Sequence, residues 1–184
     1  MIYKWQIISG QGGQNLSVPV ISVVGRGNVG KTTFLEKLIR ELKRRGYRLA
    51  VIKHYEHDFD IDQPGKDSWR LAQAGSDVAI IAAPQKIATV RRLEAELMLD
   101  EIVAALPPVD IVLTEGYKQA TKPKIEVVRQ AVTHGLLFAP PELIAVVADT
   151  PLETSAPQFG LDDAPGVADL LEKKHGLVNR VQGG

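Results

Sequence analysis

The stretch GRGNVGKT, residues 25–32, decides the fold of this chain. It satisfies the pattern G-x-x-x-x-G-K-[S/T], it follows the apolar run VPVISVV, and it opens a segment with helical spacing. A phosphate-binding loop requires this strand–loop–helix context. Gly25, Gly27 and Gly30 let the backbone turn its N–H groups toward phosphate oxygens, and the N-terminus of the following helix adds a partial positive charge. The sequence therefore predicts a P-loop.

The side chains of this loop have distinct predicted roles. Lys31 is expected to reach the β- and γ-phosphates of a nucleotide, and the Thr32 hydroxyl is expected to ligate Mg²⁺. The alternative is a glycine-rich turn with a chance Lys-Thr pair, which average glycine usage would produce in roughly one chain of this size in a hundred or fewer. The predicted nucleotide-binding residues of the loop are Gly25, Gly27, Asn28, Val29, Gly30, Lys31, Thr32 and Thr33.

The rest of the chain alternates short β-branched runs with segments of helical spacing. Most of the runs are nearly continuous in apolar residues, as expected for strands covered on both faces of a largely parallel sheet. This alternation predicts an α/β, three-layer P-loop NTPase fold, with a sheet of about seven strands and ligands at their carboxyl ends. Strands are predicted at 18–25, 48–53, 77–83, 109–116, 124–128 and 143–149, with 86–90 as a further short candidate. Helices are predicted between Gly30 and Gly46, from Leu93 to Leu106, and from about Val167 to His175.

The length of 184 residues suits one domain with a full core. The predicted nucleotide-binding domain spans residues 18–176, between an N-terminal lead-in of residues 1–17 and a C-terminal tail of residues 177–184. The Pro-rich stretch 150–165 is expected to be a loop.

The composition excludes several classes of protein. Lys and Arg together number 22 and so do Asp and Glu, so no global field draws the chain to nucleic acid or to an anionic membrane. The absence of Cys excludes a disulfide scaffold and a zinc ribbon, and it suits a reducing compartment. No apolar run approaches the roughly 18 residues of a membrane span, and the N-terminus lacks the pattern of a secretory signal. The expected location is the cytoplasm.

A P-loop needs a second acidic group for its metal ion, and the run VDIVLTEG offers two. Asp110 lies at the start of this predicted strand, where a solvated turn residue is expected. Glu115 lies at the carboxyl end, and Gly116 lets the chain turn away after it. Glu115 is therefore the predicted metal-binding or water-orienting acid, with an ordinary surface glutamate as the alternative.

The stretch KHYEHDFDIDQPGKDSWR, residues 53–70, follows a predicted strand and therefore lies beside the phosphate loop. One interpretation is a weak Zn²⁺ or Ni²⁺ site formed by His54, His57 and Asp58. The favoured interpretation is a Mg²⁺–phosphate segment, because Asp60 and Asp62 alternate along the chain and project to the same side.

The second half of this stretch carries a Pro-Gly break followed by a predicted helix. Lys66 is expected to present a cation to phosphate or to an acidic substrate. Asp67 or Ser68 could cap the helix that carries Arg70.

Four motifs together resemble the MobB family, the molybdopterin-guanine dinucleotide biosynthesis proteins B. They are GRGNVGKTT, KHYEHDFDIDQPGKDSWRLAQAGSD, LTEGYK and VVADTP, and the resemblance extends from about Val20 to about Pro151. It implies a P-loop protein that binds GTP and Mg²⁺, hydrolyses GTP slowly and forms a homodimer. Its implied task is to assist the MobA-type guanylyltransferase that attaches GMP to molybdopterin.

The resemblance extends residue by residue to the binding groups. It implies Asp62 and Glu115 as catalytic residues, Lys66 and Asp149 as further nucleotide-binding residues, and a metal set of Thr32, Asp60, Asp62 and Glu115. Asp149 follows a predicted strand, where a carboxylate could accept hydrogen bonds from guanine N1–H and its exocyclic amine. The alternative is that Asp149 caps a turn before Pro151, since the rest of an NKxD signature is absent.

Three rival functions remain open on the residues alone. The first is a GTPase that inserts a metal into an enzyme, although the absence of Cys disfavours it. The second is a small-molecule kinase in which Lys66 and Arg70 hold an acceptor phosphate. The third is a binding adapter that uses nucleotide only to order its loops.

Overall fold

The computed structural model describes residues 18–55, 57, 59, 63–133 and 135–177. The predicted lead-in 1–17, the tail beyond residue 177, and the aspartates 58, 60 and 62 lie outside the described residues. Within the described part, the chain forms a six-stranded sheet and a separate two-stranded sheet. The strands are β1 Val20–Val24, β2 Leu49–Lys53, β3 Val78–Ala83, β4 Lys86–Arg91, β5 Ile111–Glu115, β6 Lys124–Val128, β7 Leu143–Ala148 and β8 Gln158–Phe159.

The large sheet has the strand order β2-β5-β1-β6-β7-β8, and all of its neighbouring strands are parallel. The central strands β1, β5, β6 and β7 are buried along their whole length, which explains why their sequences are nearly continuous apolar runs. The parallel register sets Val23 beside Glu115 and Val24 beside Glu126. The loop that leaves β1 therefore emerges between the carboxyl ends of β5 and β6.

Helices cover both faces of the sheet, so the predicted α/β three-layer architecture is confirmed. The helices are α1 Lys31–Arg44, α2 Asp67–Gln73, α3 Leu99–Ala104 and α4 Ala164–His175. One face packs against α1 and α4 through a cluster that includes the fully buried Ile21, Leu38, Leu42 and Leu113. Burying each such side chain contributes about 1.5–3 kcal/mol. The other face packs against α3 through Leu99.

A charged group joins α1 to α4 at the edge of the first face. The Arg45 guanidinium, with only 8% of its side chain exposed, donates to the carboxylates of Glu41, Asp169 and Glu172 at 2.6–2.8 Å. The Tyr47 hydroxyl donates to Glu172 at 2.8 Å. Hydrogen bonds from Arg44 and Arg45 lower the pKa of Glu41 to about 2. These contacts fix α4 against α1, the helix that follows the phosphate loop.

The predicted single sheet of about seven strands is wrong in one respect. Residues 77–83 do not join the parallel sheet but form an antiparallel hairpin with β4. The two-residue connection between Ala83 and Lys86 is the reason, because a parallel pair needs a crossover of a dozen or more residues. The short candidate strand at 86–90 is present as β4.

Three further boundaries differ from the sequence prediction. The helix predicted from Leu93 begins only at Leu99, because the Glu101 carboxylate accepts from the Met98 backbone N–H at 2.8 Å and fixes the N-terminus there. Helix α4 begins at Ala164, where the Asp163 carboxylate accepts from Gly166 N–H at 2.9 Å. The stretch 150–165, predicted as loop, contains the two-residue strand β8.

The predicted cap of α2 is also wrong. Gly65, with φ 88°, turns the chain so that Lys66 is the extended N-cap residue. Asp67 and Ser68 therefore already lie within the first turn of the helix. Within the described residues, no helix has the length and apolar character needed to cross a membrane.

Candidate functional site

The phosphate loop occupies residues 25–30, between the end of β1 and the start of α1. Gly25 has φ 141°, and a Cβ at this position would lie 2.4 Å from the Val127 carbonyl oxygen. Only glycine fits such an approach to a neighbouring strand. Val29 is fully buried in the core, and Gly30, with φ 94°, is the N-cap of α1. The loop is therefore fixed at both ends, and its backbone conformation does not depend on exposed side chains.

Thr32 and Glu115 meet beside this loop. The Thr32 hydroxyl oxygen lies 3.0 Å from each carboxylate oxygen of Glu115, although 83 positions separate the two residues in sequence. Glu115 is 9% exposed, and the Lys53 Nζ lies 3.6 Å from its Oε1. The sequence prediction did not include Lys53, although its place at the end of β2, next to β5, was a usable signal.

Lys31 lies on the same side of the loop. Its Nζ donates to the Arg26 carbonyl oxygen at 2.8 Å, so the side chain extends along the loop backbone. Burial is the main cause that lowers the pKa of Lys31, with nearby Lys118 and Lys53 acting in the same direction and Glu115 opposing them. An added anion would relieve the repulsion among these cations, so the charges favour a phosphate group here.

The donor set at Thr32 and Glu115 fits Mg²⁺. A hydroxyl and a carboxylate are hard oxygen ligands, and Mg²⁺ commonly takes one or two protein oxygens and completes its shell with waters and substrate phosphates. The part of the chain that the structure describes contains no group of three or more His, Cys, Asp and Glu residues suited to a metal ion. The described residues thus fit a magnesium site and contain no transition-metal cage.

His54, one of the ligands in the alternative transition-metal interpretation, makes several contacts within the described residues. Its backbone N–H donates to the Glu115 carbonyl oxygen at 3.0 Å, and its ring Nε2 lies 3.0 Å from a carboxylate oxygen of Glu96. The ring also packs against Tyr117, with 4.5 Å between the centroids. These contacts tie the end of β2 to the turn after Glu115. The proposed third ligand, Asp58, lies outside the described residues.

Asp110, which the sequence predicts in a turn, and Lys66, a predicted nucleotide-binding residue, do not reach the phosphate loop. Asp110 accepts from the Arg48 backbone N–H at 2.7 Å at the opposite end of β5, as expected for a turn residue. Lys66 is exposed, and within the described residues its side chain forms no hydrogen bond or ion pair with the phosphate loop. Asp60 and Asp62 lie outside the described residues, so their predicted metal roles stay predictions.

Asp149 lies directly after β7, at the same edge of the sheet as the phosphate loop. Its Oδ1 accepts from the Gln130 backbone N–H at 2.9 Å. The carboxylate thereby connects the loops that follow β6 and β7, instead of capping a turn before Pro151. Asp149 also lines a cavity of about 350 Å³ together with Ala148, Thr150, Pro151, Gln158, Phe159 and Gly160.

The wall of this cavity could not be predicted from local sequence. The Gln158 side chain accepts from the Leu152 N–H and donates to the Leu152 carbonyl oxygen, which holds the Pro-rich loop against β8. Strand β8 has only two residues, too few for a periodic signal. Its position next to β7 appears only when the sheet is assembled.

The fold and the site together define a class. A parallel sheet with a glycine-rich loop between β1 and α1, a lysine and a threonine at the helix start, and an acid at the end of the adjacent strand is the arrangement of P-loop nucleotide-binding proteins.

Comparison with known proteins narrows this class to a family. The family model "Molybdopterin guanine dinucleotide synthesis protein B" (MobB) matches residues 20–149. The chain is 37% identical over 160 residues to the molybdopterin-guanine dinucleotide biosynthesis adapter protein of Haemophilus influenzae, covering 86% of this chain and 90% of the relative. It is 35% identical to the adapter protein of the same name from Escherichia coli, covering 84% and 91%.

A solved structure agrees with these relatives. A crystal structure of molybdopterin-guanine biosynthesis protein B superposes with a TM-score of 0.66 at 30% identity, covering 84% of this chain and 99% of that chain. The chain belongs to the MobB family, as its four motifs indicated.

Two glycines of the loop give a test of its packing. We expect Gly25→Ala to destabilise the protein by about 1–3 kcal/mol and to abolish nucleotide binding, because its Cβ would clash with the Val127 carbonyl group. Gly27→Ala is the matched control, since a Cβ there meets nothing within 4 Å. Urea denaturation of both variants measures the difference. Equal stability of the two variants would contradict the close packing of β1 on β6.

Proposed function

We propose that this protein binds Mg²⁺–GTP and acts as an adapter in molybdenum cofactor biosynthesis. In this role it assists a MobA-type guanylyltransferase in converting molybdopterin to molybdopterin guanine dinucleotide. The observation that carries the proposal is the contact of Thr32 with Glu115 beside the phosphate loop, in a chain of the MobB family. The names of the relatives, which are adapter proteins of this pathway, support it.

The binding half of the proposal rests on separate groups for phosphate and metal. The backbone N–H groups of residues 25–30 and the Lys31 ammonium hold the β- and γ-phosphates. Thr32 and Glu115 hold Mg²⁺, which neutralises developing charge on the terminal phosphate when bound. Lys53, whose Nζ lies 3.6 Å from Oε1, orients the Glu115 carboxylate. Asp60 and Asp62 remain predicted members of the metal site.

Hydrolysis is proposed to be slow because the acid at the site is already engaged. The Thr32 hydroxyl and the Lys53 ammonium already lie at the Glu115 carboxylate, so its oxygens are less available to accept a proton from an attacking water. Asp62 is the second predicted catalytic residue.

We expect Lys31→Ala and Thr32→Ala to lower the affinity for Mg²⁺–GTP by at least about 100-fold, because each removes a charge-assisted contact to phosphate or metal. Glu115→Gln and Asp62→Asn should lower Mg²⁺-dependent hydrolysis more than affinity. Calorimetric titration and a phosphate-release assay measure the two quantities. Arg40→Ala is the control, since this exposed cation lies about two and a half turns beyond Lys31 along α1 and, among the described residues, pairs only with Glu36. Unchanged affinity in a folded Lys31→Ala protein would refute the P-loop assignment.

The base is proposed to enter the cavity beside Asp149. A nucleotide with its terminal phosphate near Glu115 on β5 extends past β1 and β6 toward β7, where this cavity lies. The Asp149 carboxylate there can accept from guanine N1–H and N2–H, whereas adenine has no donor at N1 and no amine at C2. Desolvating a carboxylate without a partner costs more than a missed neutral hydrogen bond.

We expect wild-type protein to prefer GTP over ATP by at least about tenfold, or roughly 1.4 kcal/mol, and Asp149→Asn to lose most of that preference. Asparagine can still accept from the Gln130 N–H that the Asp149 Oδ1 now accepts. The loop contact is therefore retained, and the variant isolates the effect of the charge. Competition binding with both nucleotides measures the ratio. Equal wild-type affinities would argue against guanine recognition and for the small-molecule kinase.

A homodimer through the β3–β4 hairpin is the third part of the proposal. Five of its apolar side chains are between 39% and 69% exposed, with Val78, Ile80 and Ile87 on one face of the hairpin and Ile81 and Val90 on the other. A two-stranded hairpin is marginally stable by itself in water, and an exposed apolar face of this kind usually marks an interface. A second copy of the same hairpin offers a matching apolar surface, and it is the occupant that we propose.

We expect Ile87→Asp to convert a dimer into a monomer, because it introduces an unpaired charge into the apolar surface. Val132→Asp is the matched control, since Val132 is 43% exposed but lies in the turn after β6. Light scattering at micromolar concentration distinguishes the two states. A wild-type monomer, with and without GTP, would contradict this part of the proposal.

A further inference from the structure

The end of β6 contacts the phosphate loop at both of its ends. The Val127 carbonyl oxygen would lie 2.4 Å from a Cβ on Gly25, where the loop begins. Two residues further on, the Arg129 Nε donates to the Val29 carbonyl oxygen at 3.5 Å, where the loop ends. The strand therefore brings one particular side chain, that of Arg129, to the loop.

The guanidinium of Arg129 lies over the start of α1. Its Nη2 is 3.5 Å from the position that a Cβ on Gly30 would occupy, and Gly30 is the residue before Lys31. Arginine carries five N–H donors in a rigid plane, of which the contact with Val29 uses one. The remaining donors can form paired hydrogen bonds with phosphate oxygens, which a lysine ammonium cannot match in geometry.

The backbone of Arg129 is held from both sides. Its carbonyl oxygen accepts from the N–H groups of Val132 at 2.8 Å and Thr133 at 3.0 Å. The next residue, Gln130, donates its backbone N–H to Asp149. The backbone of Arg129 is thus fixed beside the loop, and the contact with Val29 orients its side chain there.

The strand order indicates which part of a nucleotide this arginine faces. Glu115 and Lys53 lie on one side of β1, on β5 and β2, whereas Arg129 lies on the other side, after β6. The cavity beside Asp149 lies one strand further in the same direction. Arg129 is therefore on the side of the loop that faces the proposed base cavity, away from the metal-binding acid. The phosphates nearest the base, the α- and β-phosphates, would pass on this side.

We propose that Arg129 binds the α- and β-phosphates of the nucleotide, the part that a nucleoside diphosphate and a triphosphate share. This inference rests on the proposed nucleotide-binding function and adds a residue to it. Arg129 therefore contributes equally to the affinity for GDP and to the affinity for GTP. The contributions of the metal ion and of Lys31 depend on the terminal phosphate.

A structural role in pairing with Asp162 is the competing explanation. The Asp162 carboxylate is exposed and pairs with Lys37, and Arg129 contributes only a minor part of the electrostatic effect on it. Removing the charge of Asp162 tests this directly. If Arg129 served Asp162, Asp162→Asn would reproduce the effect of losing the arginine.

The experiment measures the binding of GDP and GTP, each with Mg²⁺, to the full chain and its variants by calorimetric titration. We expect Arg129→Gln to weaken both nucleotides by about tenfold to 100-fold, because charge-assisted hydrogen bonds are lost, with the GTP-to-GDP ratio unchanged within about twofold. Arg129→Lys should recover only part of the loss. Asp162→Asn and Arg40→Gln should bind like the wild type. Thermal melting checks that each variant folds, and Arg129→Lys carries the test if Arg129→Gln does not fold.

Three results would overturn the inference, and they are distinguishable. Affinity of Arg129→Gln within about twofold of the wild type, or an equal loss in Asp162→Asn, assigns Arg129 a structural role only. A loss confined to GTP assigns the contact to the terminal phosphate. If the wild type itself binds neither nucleotide, the proposed function fails and the inference fails with it.

Discussion

The site depends on one constraint, the parallel pairing of β1 with β5 in a register that sets Val23 beside Glu115. This register brings the Glu115 carboxylate to the Thr32 hydroxyl, which is distant in sequence, because β5 and β1 end at the same edge of the sheet. Gly116 makes the register possible, since with φ 95° it turns the chain away where a Cβ would lie 3.3 Å from the His54 Cβ. Glu115 therefore lies next to a closely packed junction between the carboxyl ends of β2 and β5.

The two faces of the large sheet differ in the kind of side chain that they bury. One face is apolar and covered by α1 and α4. The other carries buried polar groups: Lys124 donates to the Ala120 carbonyl oxygen at 2.7 Å, and Glu126 accepts from the N–H groups of Leu137 and Phe138. Burial raises the pKa of Glu126 because it disfavours the charged form of the carboxyl group. Buried groups with satisfied hydrogen bonds fix the loops they contact. Lys124 and Glu126 therefore hold the irregular segments that contain Ala120, Leu137 and Phe138 against this face of the sheet.

Much of this architecture is readable from the sequence because the governing signals are local. The P-loop pattern, the apolar runs and the acid at the end of β5 each lie within a few neighbouring residues. The hairpin β3–β4 is also local: its two-residue connection excludes a parallel pair, although the apolar run 77–83 by itself resembles a strand of the large sheet. The remaining features depend on pairing between distant segments. Strand β8 is too short to show a period. Arg129 follows an apolar run as Glu115 does, yet only the strand order reveals that it faces the loop.

The groups at the loop are suited to holding an anion and a metal ion. In the described part of the chain, Lys31, Thr32 and Lys53 lie where they can hold phosphate, metal or the metal's acid, and Glu115 is engaged by two of them. The same acid is tied through its backbone to His54, whose ring contacts Glu96 in the segment that follows the hairpin. His54 thus links the turn after Glu115 to the segment between the hairpin and α3, but Glu96 is exposed and its contact with the ring is a polar contact at the surface. Such a contact adds little stability, so the position of Glu115 depends on the pairing of β5 with β1 and β2 and not on the hairpin.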